Sequence, residues 1–167
     1  MEINLKPVKM EEKSVLSNLY QLYYYDFSEF TGQEVDKDGT YYANIDYFWE
    51  GDDRWKPYLI EVSGCIAGFV VVLLENLDTD PDPTHVIYDF MILKKFRRQG
   101  IGYAAAFKVI ELYKADWLIA QMENNTPAIS FWRKVLNNFT NENYTENFRE
   151  TSKKYIQQFS TKDIEDL

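Results

Sequence analysis

The chain has 167 residues, with 27 acidic against 18 basic side chains, a formal net charge of −9 and 17% aromatic residues. That length fits one domain with a substantial core, the aromatic content argues against global disorder, and net negative charge without a Lys/Arg cluster argues against a nucleic-acid surface. A single cysteine, Cys65, and a single histidine, His85, exclude an internal disulfide and argue against a zinc centre or a His-based nucleophilic triad.

Residues 1–10 lack the apolar core of a signal peptide, and the longest apolar run, residues 66–74, is too short to span a bilayer, so a cytoplasmic location with no membrane partner is expected. Residues 3–6 read as a short first strand. Residues 9–25 place Val15, Leu16, Leu19, Leu22 and Tyr23 at helical spacing. Residues 26–55 mix aromatics with carboxylates and read as a loop, a second short helix near residues 41–49, and a turn at Gly51-Asp52-Asp53. Residues 58–62 and 66–74 read as two strands joined by a tight Ser63-Gly64 turn. After the acidic, Pro-rich loop 78–83 come a fourth strand at 86–93, a helix at 101–114 and a fifth strand at 117–122. A helix follows from about Pro127 to Leu136, with proline where a helix start tolerates it, and then two final strands at 144–148 and 154–159. The expected fold is α/β (α+β): residues 1–167 as one domain, with a mixed, mostly antiparallel sheet of six to seven strands flanked by helices. In order it is a strand, two helices, three strands, a helix, a strand, a helix and two strands.

The strand–turn–helix at residues 87–103 carries most of the information. An apolar strand runs into Lys94-Lys95-Phe96-Arg97-Arg98-Gln99, and Gly100-Ile101-Gly102-Tyr103 opens an apolar helix. Glycines there let a ligand approach the backbone, and the free N–H groups of the helix start, its dipole and Arg97 and Arg98 suit a pyrophosphate. A solvated basic turn with a glycine hinge is the plainer alternative.

Arg97-Arg98-Gln99-Gly100-Ile101-Gly102 resembles the Arg/Gln-x-x-Gly-x-Gly/Ala motif of the GNAT (general N-acetyltransferase) superfamily, and Asn125-Thr126-Pro127-Ala128 followed by Phe131-Trp132 resembles its downstream Asn-x-x-Ala and aromatic helix. The segments Gln121 to Asn125 and Phe131 to Arg133 look like a bacterial group of acetyltransferases. The likeness spans nearly the whole chain, with its strong motifs between residues 88 and 132. It implies direct acetyl transfer from acetyl-CoA to an amine, with no metal, and homodimerisation as a common family habit. It also implies that pantetheine pairs with Phe90, Met91 and Ile92. The pyrophosphate would lie on Arg97, Arg98, Gln99, Gly100, Ile101, Gly102 and Tyr103, with Asn125 and Phe131 beside the CoA tail. A strand N–H near Met91 would polarise the thioester carbonyl.

Asp89 is the one acidic side chain of the fourth strand, and a carboxylate in a strand made for burial is costly unless paired or functional. It reads as the group that accepts the amine's proton or binds a cationic acceptor; a structural aspartate at a strand bulge is the alternative. The segment Ile87-Tyr88-Asp89 is also similar to aminoglycoside 3-N-acetyltransferases of the superfamily, which carry an aspartate there. Many family members place a proton-donating tyrosine seven residues after the asparagine, where this chain has Trp132. That departure leaves open a second function, a non-catalytic acyl-CoA-binding module working through a protein partner. Glu29, Tyr42, Tyr47 and Trp49 are expected either to wall an acidic, aromatic acceptor cleft or to form a helix with its aromatic face packed inward. Cys65 reads as a small core residue and His85 as a hydrogen-bonded residue at a strand edge. The 78–82 turn lacks the ligand spacing of a calcium loop.

Overall fold

The computed structural model describes residues 2–164. Five longer strands and two shorter ones assemble into one seven-stranded sheet in the order β1-β2-β3-β4-β5-β7-β6. The strands are β1 (Ile3–Pro7), β2 (Trp55–Val62), β3 (Cys65–Leu74), β4 (His85–Ile92), β5 (Asp116–Met122), β6 (Thr145–Arg149) and β7 (Lys154–Ser160). Every neighbouring pair is antiparallel except β4 and β5. Ser63 (φ 49°) and Gly64 (φ 79°) both take left-handed backbone, as a two-residue hairpin turn between β2 and β3 requires.

Helix α1 (Lys13–Thr31) covers one face of the sheet, while α2 (Ile101–Glu111) and α3 (Thr126–Phe139) cover the other. The continuous apolar run of β3 is explained by this sandwiching: Ala67 and Phe69 to Val72 are buried, with Phe69 and Val71 against α1 and Val70 and Val72 against the α2–α3 side. Cys65, expected in the core, is exposed, because the strand enters the layered part of the sheet only at Ala67.

Two expectations about residues 26–55 are corrected. Helix α1 does not stop at Tyr25 but runs to Thr31, since Phe27 and Phe30 continue its aromatic stripe; Gly32, at φ 70°, ends it by donating to the Ser28 carbonyl at 2.8 Å. The second α-helix near residues 41–49 is absent: a single 3-10 turn at Asp46–Trp49 stands in its place. There Asn44 Oδ1 accepts from the Asp46 N–H at 3.1 Å, and a side chain that bonds the backbone this way competes with helix formation.

Candidate active site

The β4–β5 pairing is short. His85, Val86 and Ile87 pair with Trp117, Leu118 and Ile119, and there it ends, although β4 runs on to Ile92 and β5 runs on to Met122 beside β7. The two strands therefore splay into a gap that opens beside the start of α2.

Backbone register decides which groups line that gap. The Leu93 N–H donates to the Ala67 carbonyl at 2.8 Å, and Met91 pairs with Phe69. Antiparallel alternation then turns the N–H and C=O of Met91 and Leu93 toward β3, and those of Phe90 and Ile92 toward the gap. The Met91 amide, expected to face a thioester, is thus on the wrong edge of the strand, and its side chain is buried against α1. The neighbouring Phe90 amide points into the gap instead.

A bulge in β4 places the carboxylate. Val71 pairs with Asp89 and Val72 with Ile87, so Tyr88 is the extra residue. Ile87 faces the α2–α3 core, whereas both Tyr88 and Asp89 face the α1 side: the Tyr88 ring packs edge-on against Trp55 at 4.8 Å, and Asp89 meets α1. Tyr20 Oη donates to Asp89 Oδ2 at 2.5 Å, and Tyr23 Oη donates to Oδ1 at 2.8 Å. Burial raises the Asp89 pKa above the ordinary carboxylate value, against the pull of these two donors and the positive charge of Lys154. Both phenols are held neutral, since burial and the adjacent carboxylate push their pKa values far up. Sequence reasoning missed Tyr20 and Tyr23; their signal was two tyrosines three residues apart on the buried stripe of α1.

The basic turn is less uniform than its composition. Lys94–Phe96 forms one 3-10 turn, Arg98 (φ 59°) and Gly100 (φ 77°) adopt left-handed backbone, and α2 begins at Ile101. The first closing bond of α2 runs from the Ala104 N–H to the Gly100 carbonyl, so helix geometry leaves the N–H groups of Gly100 to Tyr103 without intrahelical acceptors. Arg97 is turned elsewhere: its Nε donates to the Ile92 carbonyl at 2.6 Å and its Nη2 to Asp26 Oδ2, tying the turn to β4 and α1. Gln99 folds back on the Lys95 carbonyl at 2.8 Å, while Arg98 is exposed. Gly102 sits tightly: a Cβ there would lie 3.3 Å from Ile92 Cγ1 and 3.4 Å from the Phe131 ring.

Asn125 is buried and caps α3, its Oδ1 accepting from the Ala128 N–H at 3.2 Å, with Pro127 in the first turn. Asn125→Ala is expected to lower stability by about 1 kcal/mol, read as a fall in melting temperature. Phe131 stacks on Phe90 with centroids 5.7 Å apart, and Tyr103 packs on Phe107 at 4.5 Å. Trp132 lies edge-on to Phe90 and Phe131 and is 5% exposed.

The four acceptor-side residues are not gathered into one cleft. Tyr47 lies beside Tyr88, within the field of Asp89. Trp49 instead donates its indole N–H to the Val8 carbonyl at 3.1 Å, on a separate groove bordered by Met10. Tyr42 and Glu29 are exposed. The alternative of a helix packing an aromatic face inward is not formed either, since only the 3-10 turn at Asp46–Trp49 is present there. His85 is buried at the far end of β4, its Nδ1 3.0 Å from the Pro83 carbonyl, and burial lowers its pKa. No His/Cys/Asp/Glu cluster suited to a metal occurs among the described residues, and no described helix is long and apolar enough to cross a membrane.

Known proteins share this fold. An acetyltransferase from Thermus thermophilus superposes with a TM-score of 0.69 at 13% identity, covering 96% of this chain and 97% of that one. The ribosomal-protein-S18-alanine N-acetyltransferase from Escherichia coli does so with a TM-score of 0.62 at 11% identity over 99% of both chains. A ribosomal L7/L12 alpha-N-protein acetyltransferase in complex with coenzyme A gives a TM-score of 0.63 at 14% identity, covering 96% of this chain and 94% of that one. No curated protein sequence matches the chain. At such identities the structures speak for the fold; the sequence pattern of the acetyltransferase (GNAT) family, however, matches residues 16–137 directly. The chain belongs to the acetyltransferase (GNAT) family, whose members use acetyl-CoA as donor.

Proposed function

We propose that the protein is an N-acetyltransferase that moves acetyl from acetyl-CoA directly to a primary amine, a small amine or a peptide, in a ternary complex. The observation that carries this reading is the β4–β5 gap, where pairing between the two strands ends after Ile87, with the Phe90 amide turned into it, the start of α2 at its mouth and a carboxylate on the same strand. The N–H groups of Gly100 to Tyr103 and the Arg98 backbone would hold the pyrophosphate. The cleft-facing backbone of Phe90 and Ile92 would pair with the pantetheine arm. The Phe90 N–H would stabilise the oxyanion that develops on the thioester carbonyl.

Asp89 takes a proton from the acceptor ammonium, directly or through one water, and the freed amine nitrogen attacks the carbonyl carbon. Its C–N bond forms, the C–S bond breaks, the nitrogen loses its surplus proton to solvent, and CoA leaves as the thiolate, which solvent protonates. Trp132 is buried and its indole is no acid, so this chain supplies no proton from that position. The net charge of −9 favours a cationic acceptor over an anionic one.

The same tryptophan favours a second reading, an acyl-CoA-binding module without chemistry that works through a protein partner. Purified protein given acetyl-CoA and polyamines, aminoglycosides, amino acids or N-terminal peptides is expected to release free thiol with at least one acceptor. Tight acetyl-CoA binding with no thiol release from any of them would select the module instead. Failure to bind acetyl-CoA would overturn both.

A further inference from the structure

We propose that Tyr20 and Tyr23 are positioning residues that hold the Asp89 carboxylate ionised and aimed across the β4 bulge. Each carboxylate oxygen accepts one phenolic O–H, Oδ2 from Tyr20 at 2.5 Å and Oδ1 from Tyr23 at 2.8 Å. Toward the ionised carboxylate both phenols act as donors only, and a carboxylate with one donor on each oxygen still has lone pairs for a third partner.

The donors have little room to move. Tyr20 is 1% exposed, the two rings pack edge to face at 5.6 Å, and they lie 4.7 and 5.6 Å from the Phe69 ring of β3. Burial and the adjacent carboxylate push the pKa of both phenols far up, which favours their protonated, donating form. The other groups that face Asp89 are Tyr24 on α1, Tyr88 on its own strand, Tyr47 on the 46–49 turn and the distant cation Lys154 on β7. Only Tyr20 and Tyr23 donate directly to the carboxylate, so they, not surrounding charge, do most to offset the burial that disfavours the anion.

Removing one O–H while keeping the ring withdraws a hydrogen bond to the charged form. The Asp89 pKa then rises further, by about one pH unit for each hydroxyl lost. Because the base must be ionised, the acid limb of the kcat profile moves to higher pH, and the rate recovers toward wild type at more alkaline pH. A purely packing role would lower thermal stability without moving any midpoint.

The test uses the full chain as Tyr20→Phe and Tyr23→Phe, with carbon-13 carboxyl NMR titration and Asp89→Asn to assign the resonance. The expected result is an upward move of the Asp89 midpoint in each folded variant, matched by the acid limb on whichever amine is turned over. An unmoved midpoint in the folded variants overturns the proposal. The rate half rests on reading Asp89 as the proton acceptor: a midpoint that moves while the acid limb stays upholds the two tyrosines and removes Asp89 as the base. Should Tyr20→Phe fail to fold, the partly cushioned Tyr23→Phe decides alone.

Discussion

Asp89→Asn is expected to lower kcat by roughly two to four orders of magnitude while leaving acetyl-CoA affinity essentially unchanged; that range is the usual contribution of a positioned acid or base. Asparagine keeps the size of the side chain, so the β4 bulge and the packing on α1 persist, but it can neither carry the charge nor take a proton. In the proposed reading the donor is held by backbone amides at the edge of β4 and at the start of α2, which a change confined to the Asp89 side chain leaves in place. Steady-state kinetics and acetyl-CoA titration on the same preparation separate the roles. A rise in KM with kcat preserved would mean that Asp89 binds the ammonium without taking its proton. Wild-type kinetics in both parameters would return Asp89 to a structural role in the tyrosine pair.

The sequence made some of this legible because the determining contacts are local. The Gly100-Ile101-Gly102 helix start, the Ser63-Gly64 turn and the twice-buried β3 follow from dihedral preference and from runs of apolar residues, and all three are where they were expected. What was not legible depends on partners far along the chain. Arg97 meets Asp26, 71 residues away, so one of the cations expected for a pyrophosphate is already paired with a carboxylate. Asp89 meets tyrosines 66 and 69 residues away, and only the folded sheet shows that α1 lies over that part of β4. The amide assignment failed for a related reason. Whether Met91 or Phe90 faces the gap depends on which β3 carbonyl Leu93 reaches, and strand register is a tertiary property. The 41–49 segment shows the opposite limit: its aromatics suggested a helical face, yet local Asn and Asp chemistry reduced it to one turn.

Gly68→Ala is expected to be the most damaging single-methyl change in the sheet. A Cβ at that position would fall 1.9 Å from the Met91 carbonyl oxygen, 2.9 Å from its carbon and 3.1 Å from the Ile92 Cα. All three are backbone atoms, so no side-chain rotation can relieve the overlap, and β3 and β4 must move apart in the middle of a sheet packed on both faces. Overpacking of this kind costs about 3 kcal/mol or more, which in a chain of this size lowers the melting temperature by roughly 6 to 12 °C. Gly64→Ala supplies the comparison. Its φ of 79° strains an alanine, but nothing lies within 4 Å of the new methyl, so its cost stays near the roughly 1 to 2 kcal/mol of left-handed backbone. The damage at Gly68 also reaches the site, because Met91 and Ile92 are pushed along with the Phe90 and Ile92 amides that border the gap. Folded Gly68→Ala protein should therefore bind acetyl-CoA more weakly than wild type, whereas Gly64→Ala should bind it as well as wild type does. Calorimetric melting and acetyl-CoA titration of both variants test this, and a Gly68→Ala protein as stable as Gly64→Ala would show that β3 and β4 do not need their close approach.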